Sequence, residues 1–397
     1  MSELKRVGIR SFTLVELLIV IAILAVLAAA VVLVLNPAEL LAQARDSQRI
    51  SDVNMVKKAV DLFIVDNSTT SLGTANRVYI SLPDSSTSCA NITGLPTLPA
   101  TWQYVCAPTA SLRNINGTGW LPLDLSQVKG GSPIPYLPID PQNDPSLTRY
   151  YQYIPGTNTF ELTALMESEK QAKAAAKDGG TDAGRLEVGS SLGAWKEASM
   201  IGYDWPLNEG SGTLVSDSLG SGNNGTATGA LWSNDARRGW VIDFPTTGQV
   251  VLPTAAFASA SEDFAISYWF KTRRSSDYGV FNNAVNYNLG RIGHRSANVI
   301  GIWNPDVNID LSESFVTNSW EFITYVRSGG SSGSILVYRN GKLVGTGTHS
   351  PAQSFDKIGG KSDNSSWSGY DGLVSQLKFY RRTLTANEIR AIYNATK

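Results

Sequence analysis

Hydrophobic and polar positions change rhythm four times along the chain. After a short basic stretch with Lys5, Arg6 and Arg10, residues 12–35 read FTLVELLIVIAILAVLAAAVVLVL. The run Leu17 to Leu35 is apolar without interruption and, as a helix, is long enough for a bilayer core of about 30 Å. The flanking basic residues predict a cytoplasmic N-terminus and an exported remainder. Pro37 predicts a kink or break where the run ends. From Ala38 to about Asn67, Ile50, Val53, Val56, Val60 and Phe63 recur at spacings of three and four, the signature of one buried helical face. Arg45, Asp46, Arg49, Asp52, Lys57, Lys58 and Asp61 fall elsewhere and are expected in solvent, with a Lys57–Asp61 pair four residues apart and pairing between subunits as the alternative. Short strands are predicted at Asn76–Leu82, Trp102–Cys106 and Gly119–Leu125, and as a pair around a turn within Arg149–Leu165. Met166–Gly180 reads as a short polar helix with a glycine stop, and the stretch 168–197 as the join between domains. Beyond about residue 198 the chain alternates short strands with Gly, Asn and Ser turns, the pattern of a sandwich or jelly roll.

One residue breaks the first pattern. Glu16 lies inside the apolar segment, where a carboxylate is costly unless paired, and nothing on the same helix is expected to pair with it. With Phe12 four residues before it, the stretch resembles the signal of type IV prepilins and type II secretion pseudopilins. In that family a prepilin peptidase cuts before a Phe and methylates its new amine, and a Glu five residues into the cut chain neutralises that amine, often on a neighbouring subunit. The resemblance therefore implies cleavage between Ser11 and Phe12, a role for Glu16 in assembly, and other pilin subunits, the peptidase and the membrane as partners. Ser11 stands where the family normally has Gly. The implied fold is an α+β pilin fold, a long N-terminal helix packed on a small antiparallel sheet. Its parts are a leader (1–11), an assembly helix (12–35), a globular domain (36–167) and a linker (168–197).

Residues 198–397 resemble laminin-G-like, concanavalin-A-type domains, an all-β jelly-roll sandwich. The resemblance rests on YDWPLNEGSGTLVSDSLGSGNNGTATGALW at Tyr203, FAISYWFKT at Phe264, WEFITYV at Trp320 and ILVYRNGKLVGTG at Ile335. The closing phrase is YDGLVSQLKFYRRTLTANEI at Tyr370. Such domains often hold calcium between the opening loop and the closing strand. Asp217, Asn223 and Asn224 are the ligands this implies, although Ser375 and Gln376 stand where the family usually has acidic residues, and Asp371 is displaced from them. Asp217 capping a turn is the plain alternative. In the pilin-like part, Asp140, Asp144 and Asp178 are further calcium candidates. Trp303, Asp306, Trp367 and Tyr370, with Asn304, Asp363 and Asn364 nearby, are expected to form a surface site where aromatic rings stack on sugars. The alternative for each ring is the core.

Composition narrows the function. A net charge of −1 and a pI near 6.2 give no reason to expect nucleic acid. Ten Trp, 15 Tyr and 12 Phe supply core material. The two cysteines, Cys89 and Cys106, in an exported chain are expected as a disulfide. The only histidines are His294 and His349, there is no phosphate or dinucleotide fingerprint, and no E-x-D-x-x-E phrase marks a glycoside hydrolase, so no enzyme is expected. The expected function is a minor pilin or pseudopilin presenting an adhesin- or lectin-like domain to a glycan or surface receptor. The alternatives are a secretion or DNA-uptake pseudopilin and a membrane-anchored surface protein that never polymerises.

Overall fold

The computed structural model describes residues 13–67, 71–99, 101–192, 201–220, 222–245, 247–252, 263–275, 278–282, 291–303, 307–328, 333–349, 355–360 and 368–397. Helix α1 (Leu14–Leu35) starts with Thr13 as its N-cap and stops at Asn36, whose left-handed backbone (φ 39°) also caps the next helix. Pro37 is the first residue of α2 (Pro37–Asp66), where its missing N–H costs nothing. The break therefore falls where the proline predicts it. Among the described residues no helix is long and apolar enough to cross a membrane. The side chains of 28–35 fall outside that set, however, and the sequence of all 22 residues of α1 carries one ionisable group, Glu16, along about 33 Å of helix. Every described α1 side chain from Leu14 to Leu27 is exposed. Such an apolar rod is stable only in lipid or against other helices.

Helix α2 buries Val53, Val56, Val60 and Phe63 of the predicted face against a five-stranded sheet, while Ile50 of that face is half-buried. The sheet runs β2 (Gln103–Ala107), β1 (Arg77–Pro83), β3 (Gln152–Pro155), β4 (Phe160–Leu165), β5 (Arg185–Gly189). Only β1 and β2 are parallel. The sheet is thus mixed, not purely antiparallel. Three further expectations are corrected. Gly119–Leu125 is not a strand: Pro122 interrupts it, and it forms a buried loop in which Trp120 donates to the Pro138 carbonyl at 2.9 Å. The stretch 168–197 is more than a join, since it supplies α3 (Glu169–Ala175) and the edge strand β5, whose Leu186 and Val188 pack on the core. Finally, Asp46 and Arg49 are buried, not solvated. Arg49 reaches Asp46 at 2.8 Å and Asp140 at 2.7 Å. Burial opposes its charge, but those carboxylates hold it above the ordinary guanidinium value. The Lys57–Asp61 pair forms at 2.7 Å, and a disulfide joins Cys89 to Cys106.

The C-terminal domain is a sandwich of two sheets. One runs, in spatial order, Lys342–His349, Gly333–Arg339, Glu321–Ser328, Phe264–Thr272, Gly372–Tyr380, Gly239–Phe244, Leu231–Asp235, with Ile201–Trp205 also paired to Gly372–Tyr380. The other runs from Val307–Asp310 through Val299–Trp303, Arg291–Ser296 and Tyr278–Asn282 to Lys357–Gly359, Gln249–Val251, Gly225–Thr228 and Leu214–Val215. Between them lies a core rich in aromatic rings, including Trp205, Phe244, Tyr268, Phe281 and Phe379. His294 belongs to it, packed between Phe270 and Phe315, and burial takes its imidazole down to about 3.

Helix α4 (Ala386–Thr396) covers the outer face of the first sheet with Ile389 and Ile392, its N-terminus fixed by a Thr385/Glu388 capping box. It also serves the first domain. Ala395 packs on that domain's core, Lys397 meets Glu169 on α3 at 2.7 Å, and Arg185 of β5 meets Glu388 at 3.5 Å. Thr148 and Thr385 share a hydrogen bond of 2.9 Å. Glu388 is bound in turn by Arg382 at 2.9 Å. Burial alone would raise the Glu388 carboxyl, but Arg382 and Arg185 outweigh it and hold it at about 2.

Candidate functional site

At the N-terminal end, Ser11 and Phe12 lie outside the described residues. Glu16 is the third residue of α1 and closes a capping box: its Oε2 accepts from the Thr13 N–H at 2.9 Å and the Thr13 hydroxyl at 2.8 Å. Thr13 Oγ1 accepts from the Glu16 N–H at 3.2 Å in return. The expectation that nothing on the same helix could pair with Glu16 is corrected, because a threonine three residues earlier satisfies an N3 carboxylate. Thr13 brings dipoles but no charge. The carboxylate therefore keeps its capacity for a cation while its geometry is already set.

In the sandwich, the expected aromatic cluster does not hold together. Tyr370 is fully buried, with its ring against Phe244 and its hydroxyl donating to the Leu373 carbonyl at 3.0 Å. The chain folds tightly there because Gly372 (φ 155°) has no side chain; an added Cβ would lie 2.7 Å from the phenol oxygen. Tyr370 is a core residue and is withdrawn from the surface site. Trp303 ends a strand paired to Arg291, and its side chain lies outside the described residues, as do Asn304, Asp306, Asp363, Asn364 and Trp367.

Asp217 is buried, and its Oδ1 accepts from the N–H groups of Asp204 and Leu219 at 3.1 and 3.2 Å. Asn224 accepts the Asp217 N–H, and the Asn223 carbonyl accepts from Trp205 Nε1, both at 2.9 Å. These three residues tie the opening loop to the strand Ile201–Trp205. Asp371 pairs with Arg273 at 2.9 Å. In the first domain Asp140 is held by Arg49, Asp144 caps the turn at Ser146, and Asp178 accepts from Gly180 and Glu187. Among the described residues no three His, Cys, Asp or Glu side chains converge as a metal-ligand group.

A different aromatic surface stands out at the sandwich rim. The hairpin Leu231–Asp235 and Gly239–Phe244 pairs Trp232 with Ile242 and Asn234 with Trp240. Directly opposed residues share a face and alternate residues repeat it, so Trp232, Asn234, Trp240 and Ile242 lie in a row. Ile242 is inside the core, Trp232 packs on its margin and donates to the Gly212 carbonyl at 2.8 Å, and Trp240 projects past the margin, 45% exposed. Gly210 (φ 76°) lies against the Trp240 ring, and a Cβ there would come within 2.9 Å of it. The sequence signal was available as two tryptophans in a polar hairpin, WSNDARRGW, with alternation placing both on one face.

The chain matches two families over separate stretches. Residues 8–32 match the prokaryotic N-terminal methylation motif. Residues 244–390 match the concanavalin A-like lectin/glucanases superfamily. The protein is thus type IV pilin-like at its N-terminus and carries a concanavalin A-like, lectin-like domain at its C-terminus. The motif implies processing by a prepilin peptidase and assembly with other pilins, and it is that of proteins anchored in the membrane and then exposed at the surface. No curated protein sequence matches the chain. Among solved structures it is similar to domain 4 of AbnA, a GH43 extracellular arabinanase from Geobacillus stearothermophilus, in complex with arabinotriose. That match has 17% identity and a TM-score of 0.39, covering 49% of this chain and 98% of the other. The binding domain of Paraclostridial Mosquitocidal Protein 1 is similar at 15% identity and a TM-score of 0.39, over 49% of this chain and 52% of that one. The binding domain of botulinum neurotoxin DC in complex with SialylT is similar at 15% identity and a TM-score of 0.38, over 50% and 52%. The chain spans about half the length of the two toxin domains.

Proposed function

We propose that the chain is a minor pilin: cut before Phe12, assembled through α1 into a surface filament, and presenting its sandwich as a glycan-binding adhesin. The observation that carries this reading is the union, in one chain, of a methylation-motif helix with a concanavalin A-like domain. Glu16 then serves as the partner of a Phe12 amine, a cation that exists only after cleavage. The Trp240 ring offers a sugar face an apolar contact, with Asn234 beside it to orient hydroxyls. Single sites of this kind bind weakly, and a filament would multiply them. Calcium at the opening loop would have to find its ligands beside Asp217 Oδ1, which already accepts two backbone N–H groups.

Mass spectrometry of the membrane-extracted protein tests processing: the expected N-terminus is methylated Phe12, and an intact Met1 in cells with active peptidase overturns it. Immunogold labelling of the sandwich on sheared filaments tests assembly. A glycan array with and without EDTA tests binding, and EDTA sensitivity tests calcium. Alanine substitutions at Trp240, Trp303 and Trp367 identify which rings contact the ligand. Saturable binding to a protein receptor with no carbohydrate bound would replace the lectin reading.

A further inference from the structure

A polar cleft of about 530 Å³ opens where the two domains meet α4. The first domain gives it Glu169 and Lys173 of α3; the second gives Arg237 and Arg238 from a hairpin turn, Gln376, and Thr396 with Lys397 at the end of α4. Four of these seven residues are cationic and one is anionic. Glu169 is already shared between Lys173 at 2.8 Å and Lys397 at 2.7 Å. The nearby Asp235 is taken by Lys271 at 3.2 Å and by the backbone N–H groups of Arg237 and Arg238. The cleft therefore carries more positive charge than its own carboxylates answer.

Arg238 is the centre of that excess. Its guanidinium lies 3.5 Å over the Trp269 ring and, among the described residues, donates to neutral acceptors, the Gln376 Oε1 at 3.3 Å and the Thr396 carbonyl at 3.0 Å. Its Nε is buried with no acceptor among the described residues. Capping the carboxyl end of α4 accounts for one of its bonds and not for the rest. Burial, with Arg237 alongside, pulls Arg238 down to about 9, more than the nearby Asp235 offsets. Arg237 is exposed and its guanidinium has no hydrogen-bond acceptor among the described residues.

Gln376 supplies an independent sign. It holds φ 52° in the middle of Gly372–Tyr380, a strained conformation for a residue with a side chain. Pairing with Phe264–Thr272 shows why: Ser267 faces Lys378 and Trp269 faces Ser375, so the closing strand carries one extra residue. A bulge of this kind re-aims a side chain, and here it turns the Gln376 amide into the cleft.

From this convergence we infer that the cleft binds the acidic group of a saccharide, a carboxylate or a sulfate, between Arg237, Arg238 and Lys173, with the Gln376 amide on a neighbouring oxygen. Arginine suits such planar or tetrahedral oxyanions because its donors are arranged as a fork. The inference deepens the glycan reading and rests on it: it names an acidic sugar and adds a second site, away from the Trp240 rim.

The test uses the full chain in detergent, titrated calorimetrically with oligogalacturonate, with sulfated dextran oligomers and with neutral maltohexaose. Wild type is expected to bind at least one acidic probe, and which one distinguishes carboxylate from sulfate. Arg237→Gln and Lys173→Gln, both at solvent-accessible positions, should each weaken that binding about tenfold, with steep loss in salt. Gln376→Ala should weaken it less and leave any neutral-sugar binding unchanged. Equal acidic-probe affinity in wild type and Arg237→Gln overturns the inference, as does failure of both acidic probes. If both fail while a neutral glycan still binds in a Trp240-dependent manner, the lectin reading survives and the cleft site alone is lost.

Discussion

Replacing Glu388 with Gln tests the joint between the domains. The Glu388 carboxylate is 1% exposed and accepts from Arg382 at 2.9 and 3.1 Å, from the Thr385 N–H at 2.9 Å and from Arg185 at 3.5 Å. Both arginines are equally buried. A carboxyl carried from its ordinary 4.5 to about 2 contributes about 3 kcal/mol at neutral pH. The mutational route agrees: stripping the charge takes the closest carboxylate from the buried Arg382 and leaves Arg185 with Asp182 at 3.4 Å, and breaking a buried pair costs roughly 3–5 kcal/mol. Glutamine can still cap α4 through its carbonyl, which places the expected loss near about 3 kcal/mol. The sign in pH follows from the lowered value. The contribution is full above about 4.5 and fades as the pH falls through about 2, so wild type should lose stability in acid where the variant loses less. Urea unfolding of the detergent-solubilised chain at pH 7 and pH 3, followed by far-UV dichroism and by protease sensitivity of the domain junction, measures both effects. Lys342→Ala, which removes an exposed pair with Glu313, is the control and should change little. If Glu388→Gln unfolds within about 0.5 kcal/mol of wild type at pH 7, the electrostatic account of the joint is wrong.

Glu16→Ala should insert into the membrane as well as wild type yet fail to enter filaments, read as its absence from the sheared fraction; wild-type incorporation refutes the assembly role. Replacing Cys89 and Cys106 with Ser opens a loop with a sequence separation of 17 and should destabilise the first domain by about 3 kcal/mol, leaving the sandwich transition unmoved in the same urea scan. Gly210→Val places a Cβ within 2.9 Å of the Trp240 ring and strains a backbone at φ 76°, so it should displace the ring and weaken glycan binding as Trp240→Ala does, without loss of sandwich dichroism.

Much of the architecture was legible because it rests on local pattern. The spacing of Val53, Val56, Val60 and Phe63 marks the buried face of α2, Pro37 marks the break, and the turn chemistry around Asn340 and Gly341 joins two antiparallel strands. What sequence left unread was long-range. Arg49 looks like any surface arginine on a helix until Asp140, 91 residues away, closes on it. Tyr370 looks exposed in a glycine- and serine-rich segment, yet the glycine two residues on is what lets its ring turn inward. Strand β5 hides in a polar stretch because only two of its residues need to be apolar at a sheet edge. Gln376 reads as a lost acidic position, and only the strand register reveals it as the re-aimed residue of a bulge.

The position of α4 bears on mechanics as well as on packing. Under the proposed function, a pull on the sandwich would have to travel to α1. Here the covalent connection is not the only route, because α4 is seated on both domains and bolted to β5 through Arg185 and Glu388. Tension would be shared across a broad shoulder instead of one tether, and torque on the sandwich would be passed to the first domain with little slack. Each copy would therefore hold the rim and the cleft of its sandwich at a fixed bearing to its own first domain.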